Sequence, residues 1–132
     1  MNEAECDVRA EDIRQFLDEY EGGPETAAQI LTILEEEVSD RVTRIRATFE
    51  AGDLETATEV THKLTSSVGV LGNACQTETI RELEKELRAV QPNGADRSDS
   101  QLRRKIDRTE KEMRALLSAI EQVLPTIRGS RD

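Results

Sequence analysis

Apolar side chains recur along this chain at three- and four-residue steps, the spacing that lines one face of an α-helix. Ile13, Phe16, Leu17 and Tyr20 predict a short first helix, broken by Glu21-Gly22-Gly23-Pro24. Pro24 suits the first position of the next helix, where its missing N–H would have had no partner, and Glu25 follows near the positive end of the dipole. The second stripe is Ala27, Ile30, Leu31, Leu34, Val38, Val42, Ile45 and Phe49, and Ala51-Gly52 ends it. On its flanks Glu37 with Arg41 and Asp40 with Arg44 sit four residues apart, a spacing that supports a helix slightly. Asp53 is a fitting N-cap for a third helix reaching Leu71, striped by Leu54, Ala57, Thr61, Leu64, Val68 and Leu71. Asn73 can cap a fourth, with Ile80, Leu83, Leu87 and Val90 on its apolar face. Gln91 to Arg97 reads as a linker, and Ser98 followed by Gln101 fits a capping box. The fifth helix carries Leu102, Ile106, Met113, Leu116, Leu117, Ile120 and Leu124, and Pro125 is expected to end it.

Short connections between long helices favour antiparallel neighbours. The expected fold is therefore all-α: an antiparallel up-down-up-down four-helix bundle with a short extra N-terminal helix. Residues 9–125 should form the bundle domain, with residues 1–8 and 126–132 as mobile tails.

The third helix carries the only histidine in the chain, His62. It lies roughly 130° from the middle of that helix's apolar stripe, so it should face solvent. Glu55, Thr58, Glu59, Ser66 and Gly69 share its face. Ser66 and Gly69, one and two turns beyond it, are small and leave room for another protein to approach the imidazole.

Composition narrows the function. The 132 residues are 36% hydrophobic and 35% charged, enough to fill a seam between amphipathic helices. Aromatics make up 2%, which disfavours a sheet. The net charge of −10 argues against nucleic acid and against anionic membrane surfaces as partners. No apolar run has the length of a membrane span, and the acidic N-terminus is unlike a signal peptide. Two cysteines, Cys6 and Cys75, do not make a disulfide framework; they are expected to be free thiols of a cytoplasmic monomer, with Cys75 a small buried residue.

Several chemistries lack support. One histidine cannot build an ordinary metal site, and the glutamates lack the Glu-x-x-His spacing of di-iron bundles. No strained nucleophile turn suggests a Ser-His-Asp triad, and no glycine-rich loop precedes a helix in a way that would cradle a nucleotide. An autonomous kinase is not expected.

The run from His62 to Asn73, His-Lys-Leu-Thr-Ser-Ser-Val-Gly-Val-Leu-Gly-Asn, resembles the signature of histidine-containing phosphotransfer (Hpt) domains: His-x-Leu-Lys-Gly-Ser, several residues, then Leu-Gly. Phe49 to Asp53 resembles the family's turn into the histidine helix, and Ile80 to Leu87 its following helix; the similarity spans roughly residues 11–124. The resemblance implies a phosphorelay phosphocarrier. His62 would accept a phosphoryl group from a receiver-domain phospho-aspartate and pass it to another receiver aspartate. Glu59, Lys63, Thr65, Ser66 and Gly69 would be its phosphate-site neighbours and docking surface. The partners would be receiver domains of response regulators or of a hybrid histidine kinase. The partner would bring Mg²⁺ and the catalytic lysine, and this chain would hold no cofactor or metal. Two positions depart from the signature: Thr65 stands where the family has lysine, and Ser66 where it has glycine. Lys63 does not replace that lysine, because it points about 100° away from His62 around the helix. The alternative is an adaptor bundle that docks receiver or other signalling domains without transferring phosphate.

Overall fold

The structure is a computed structural model that describes residues 8–71, 73–90 and 99–129. The described residues form five helices: α1 (Ala10–Glu19), α2 (Pro24–Glu50), α3 (Leu54–Gly69), α4 (Ala74–Val90) and α5 (Asp99–Gly129). No strand occurs among the described residues. Around the bundle α2 packs on α3, α3 on α4, α4 on α5 and α5 back on α2, while α1 packs against α5 and α2. The up-down-up-down bundle with its extra N-terminal helix is thus the observed fold.

The turns follow from local chemistry. Gly52 takes φ 81°, a left-handed conformation that costs a glycine little. It lets the Gly52 N–H reach the Phe49 carbonyl (3.0 Å) and the Asp53 N–H reach the Thr48 carbonyl (2.9 Å), closing the last turn of α2. Asp53 then caps α3 by accepting from the Thr56 N–H at 3.2 Å. Hydrogen bonds from the Thr56 hydroxyl and then from its N–H hold the Asp53 carboxyl below its ordinary pKa. Asn73 caps α4 in the same way, accepting from the Gln76 N–H at 2.9 Å. Pro24 occupies the start of α2, as its missing N–H allows.

The predicted stripes fill the core. Leu31, Ile45, Leu64, Ile80, Leu83, Leu87, Leu102, Ile106, Met113, Leu116 and Ile120 are fully buried. Val8, assigned to the tail by its polar neighbours, also packs into the core. On the far side of the bundle Arg46 of α2 bonds Glu110 of α5 through Nε (3.0 Å) and Nη2 (2.9 Å), and also bonds Asp107. The Glu110 and Asp107 carboxylates hold the guanidinium above its ordinary pKa against the opposing effect of burial.

Four expectations need correction. The helix α5 passes through Pro125 to Gly129; proline's fixed φ is compatible with a helix, at the cost of one i→i−4 hydrogen bond. Cys75 is exposed rather than buried, and it is disulfide-bonded rather than a free thiol. Its position in the first turn of α4 points it outward, and the thiol argument for a reducing compartment lapses with it. Thr58, expected on the exposed face, is buried. Asp40 and Arg44 form no ion pair, whereas Glu37 and Arg41 do, at 3.6 Å. The linker at 91–97, the Ser98 cap and the tail residues 1–7 and 130–132 lie outside the described residues.

Candidate functional site

His62 stands on the outer face of α3 with its side chain 66% exposed. Its position follows from the helical period: Thr58, Val60, Thr61, Leu64, Ser67 and Val68 are buried, and Ser67 bonds Arg41 and Glu37 of α2. Thr58 and Thr61 are tolerable when buried because each hydroxyl donates to a backbone carbonyl one turn back, Leu54 and Ala57 respectively, both at 2.7 Å. His62 is left on the arc that no neighbouring helix covers.

Across the groove, α4 presents Glu84. Its carboxylate oxygens lie 3.1 and 3.3 Å from His62 Nδ1. The Glu84 side chain is only 13% exposed and is held from its other side by Arg88, whose Nη2 and Nε donate at 2.6 and 3.0 Å. A carboxylate in such a pair only accepts, so Nδ1 is the imidazole nitrogen that carries the proton. In the neutral imidazole the lone pair then lies on Nε2. Arg88, Glu84 and His62 thus form a chain of contacts that orients the ring.

On the other side, α3 is braced to α2. Arg41 Nη1 donates to the Lys63 carbonyl at 3.2 Å and also to Ser67 Oγ, while Ser67 Oγ donates to Glu37 Oε1 at 3.0 Å. Ser67 is therefore a buried bridging residue, in line with a packing role. This brace and the Glu84 contact fix the rotation of α3 about its own axis.

The other site residues are placed as follows. Glu59 lies one turn before His62 and is exposed. Lys63 and Ser66 are exposed, with the Lys63 side chain directed away from the imidazole. Thr65 is half-buried in the α3–α4 groove, with Oγ1 3.4 Å from the Thr61 carbonyl. Gly69 is exposed, and a Cβ built on it would meet nothing within 4 Å. Packing within the bundle therefore does not require glycine there. Glu84 and Arg88 were not among the expected site residues. Their sequence signal was faint: two polar positions four apart on the flank of the Ile80-Leu83-Leu87 stripe.

Among the described residues no three His, Cys, Asp or Glu side chains converge as metal ligands. No helix among them is long and apolar enough to cross a membrane.

No curated protein and no solved structure matches the chain. A scan against protein-family models matches the Hpt domain over residues 29–126, a span that contains α3 and α4 whole, with His62, Glu84 and Arg88. With that match covering most of its length, the chain belongs to the Hpt domain family, whose members are phosphocarriers of two-component signalling that interact with receiver domains.

Proposed function

We propose that His62 is the phosphorylated residue of this chain and that Nε2 is the atom that takes the phosphoryl group. The observation that carries this reading is the Nδ1–Glu84 contact at 3.1 Å beneath a side chain that is two-thirds exposed. A receiver domain presents its phospho-aspartate over the α3 face. The Nε2 lone pair forms the N–P bond as the acyl-phosphate P–O bond breaks, and the aspartate leaves as a carboxylate. The Nδ1 proton stays in place, directed at Glu84, and the positive charge that develops on the ring is stabilised by that carboxylate. Transfer to a second receiver reverses these steps.

Phosphoryl transfer depends on positioning and charge neutralisation more than on covalent chemistry from the protein. That division suits a bundle offering a nucleophile, an orienting carboxylate and a docking face, with Mg²⁺ and the acceptor chemistry supplied by the receiver. No observation favours the adaptor alternative, which has no use for an oriented, exposed nitrogen.

Incubation with a receiver phosphorylated on its aspartate tests the proposal. Acid-labile, base-stable label should appear on this chain, and His62→Gln should abolish it while leaving the helical circular dichroism unchanged, since the position is exposed. Label on the His62→Gln variant would rule out the site.

A further inference from the structure

A phosphoryl group on Nε2 would bring up to about two negative charges to a face that already carries Glu55, Glu59 and Glu84. Some cation must meet that charge if the phosphorylated state is to persist. The histidine helix does not provide it: Thr65 and Ser66 are neutral, and Lys63 points away. Arg88 is already committed, with two nitrogens on Glu84.

Of the two remaining cations of α4, Arg81 lies nearer Glu84 around the axis, roughly 60° against 100° for Lys85. Arg81 is exposed, and among the described residues it makes no ion pair or hydrogen bond. Its placement follows from the register of the two helices. Because α3 and α4 run antiparallel with His62 opposite Glu84, three residues forward on α3 is level with three residues back on α4. Thr65 therefore stands level with Arg81. Around the α4 axis Arg81 and Arg88 lie roughly 60° and 40° from Glu84, toward the same exposed edge. Along the axis Arg81 is displaced from Glu84 by about 4.5 Å, within the reach of an extended arginine side chain.

We propose that Arg81 is a phosphate-binding residue, its guanidinium meeting the phosphoryl group on His62 from across the groove at the level of Thr65. The inference rests on His62 being the phosphorylated residue. It assigns the cation to the neighbouring helix, where a planar fork of donors can take two phosphoryl oxygens at once. Arg81 is then unpaired in the free chain because its partner arrives with the phosphoryl group.

The test uses the whole chain labelled by phosphoramidate, a small donor that needs no docking surface. The ³¹P signal of phospho-His62 is followed against pH. A cation beside the phosphoryl group favours its doubly charged form and so lowers the midpoint of its second ionisation. Arg81→Gln should weaken that acid constant by about two- to fivefold, the range for an exposed charge pair. Arg81→Lys should give an intermediate value, and Thr65→Lys added to Arg81→Gln should restore most of the difference. All these differences should shrink in high salt. Stability should change little in the Arg81 variants, because the side chain is exposed and makes no ion pair or hydrogen bond among the described residues. An Arg81→Gln midpoint equal to wild type would overturn the proposal, as would a shift found only in Arg88→Gln. Failure of the wild-type chain to take label at His62 would instead remove the phosphocarrier reading, and the role of Arg81 with it.

Discussion

Glu84 gives the histidine its direction, and its role is separable from that of the nucleophile. Glu84→Gln keeps an oxygen that can accept from Nδ1 but loses the negative charge facing the ring. A charge-assisted bond is about twice as strong as a neutral one, so transfer from a phosphorylated receiver should slow by about three- to tenfold. Glu84→Ala should slow it further, since the ring is then free to place its proton on either nitrogen. Quenched-flow transfer at saturating receiver measures both, and equal rates in all three proteins would show that orientation is set elsewhere. Gly69 makes a second residue-scale case. It has open space where a Cβ would go, and glycine near a helix end is no better than alanine for the helix itself. Gly69→Ala should therefore stabilise the bundle by a few tenths to about 1 kcal/mol and leave transfer intact. Gly69→Arg should keep the fold and impair transfer from a receiver, because a long side chain would stand in its approach. Thermal melts beside the transfer assay distinguish these outcomes, and loss of helix in both variants would mean that Gly69 serves packing.

At the scale of elements, the helices and their caps were legible because they are local. The stripe from Leu54 to Val68 and the caps at Asp53 and Asn73 depend on residues within a turn or two of each other. The partners of His62 were not legible for the converse reason. Glu84 lies 22 residues away, and only the packing of α4 on α3 sets which residue faces the imidazole. The same gap explains Thr58: its own helix places it near the histidine face, yet the packed bundle buries it. It also explains Ser67, whose bonds to Arg41 and Glu37 depend on the register of α2. A prediction belongs to the start of α3. The Asp53 carboxyl has a lowered pKa in the folded state because it accepts from the Thr56 hydroxyl and caps the Thr56 N–H. Its contribution to stability is therefore present above the ordinary carboxylate range and is lost as pH falls through the lower folded value. Asp53→Ala should lower the melting temperature at neutral pH, and the difference from wild type should shrink on acidification. Asp53→Asn keeps a capping oxygen and should be spared most of the loss. A melting-temperature gap between Asp53→Ala and wild type that stays constant down through acid pH would show that the charged form of the cap contributes nothing.

For the molecule as a whole, the question is which part of an acidic surface a receiver recognises. Two large hydrophobic side chains are exposed among the described residues, Ile33 at 56% and Val70 at 49%. Ile33 is on α2 and Val70 directly follows α3, and both come to the same end of the bundle. Arg41 and Glu37 of α2 meet Ser67 of α3, so one further turn along each antiparallel helix brings Ile33 level with Val70. Val70 adjoins the open surface at Gly69 and stands about 12 Å along the helix axis from His62. A receiver placed over Nε2 would extend past Gly69 onto this apolar pair, and exposed apolar side chains beside a polar site mark such contacts. Ile33→Asp combined with Val70→Asp should therefore raise the receiver concentration needed for half-maximal transfer by tenfold or more, about 1.4 kcal/mol, while the limiting rate changes little. Labelling by phosphoramidate should be unaffected, because that donor touches only the histidine and its immediate neighbours. Glu84→Gln should show the reverse split, with a lower limiting rate and an unchanged half-maximal concentration. Should the double variant lose label from phosphoramidate as well, the two side chains support the fold or the imidazole itself, and the receiver must approach over α4 instead.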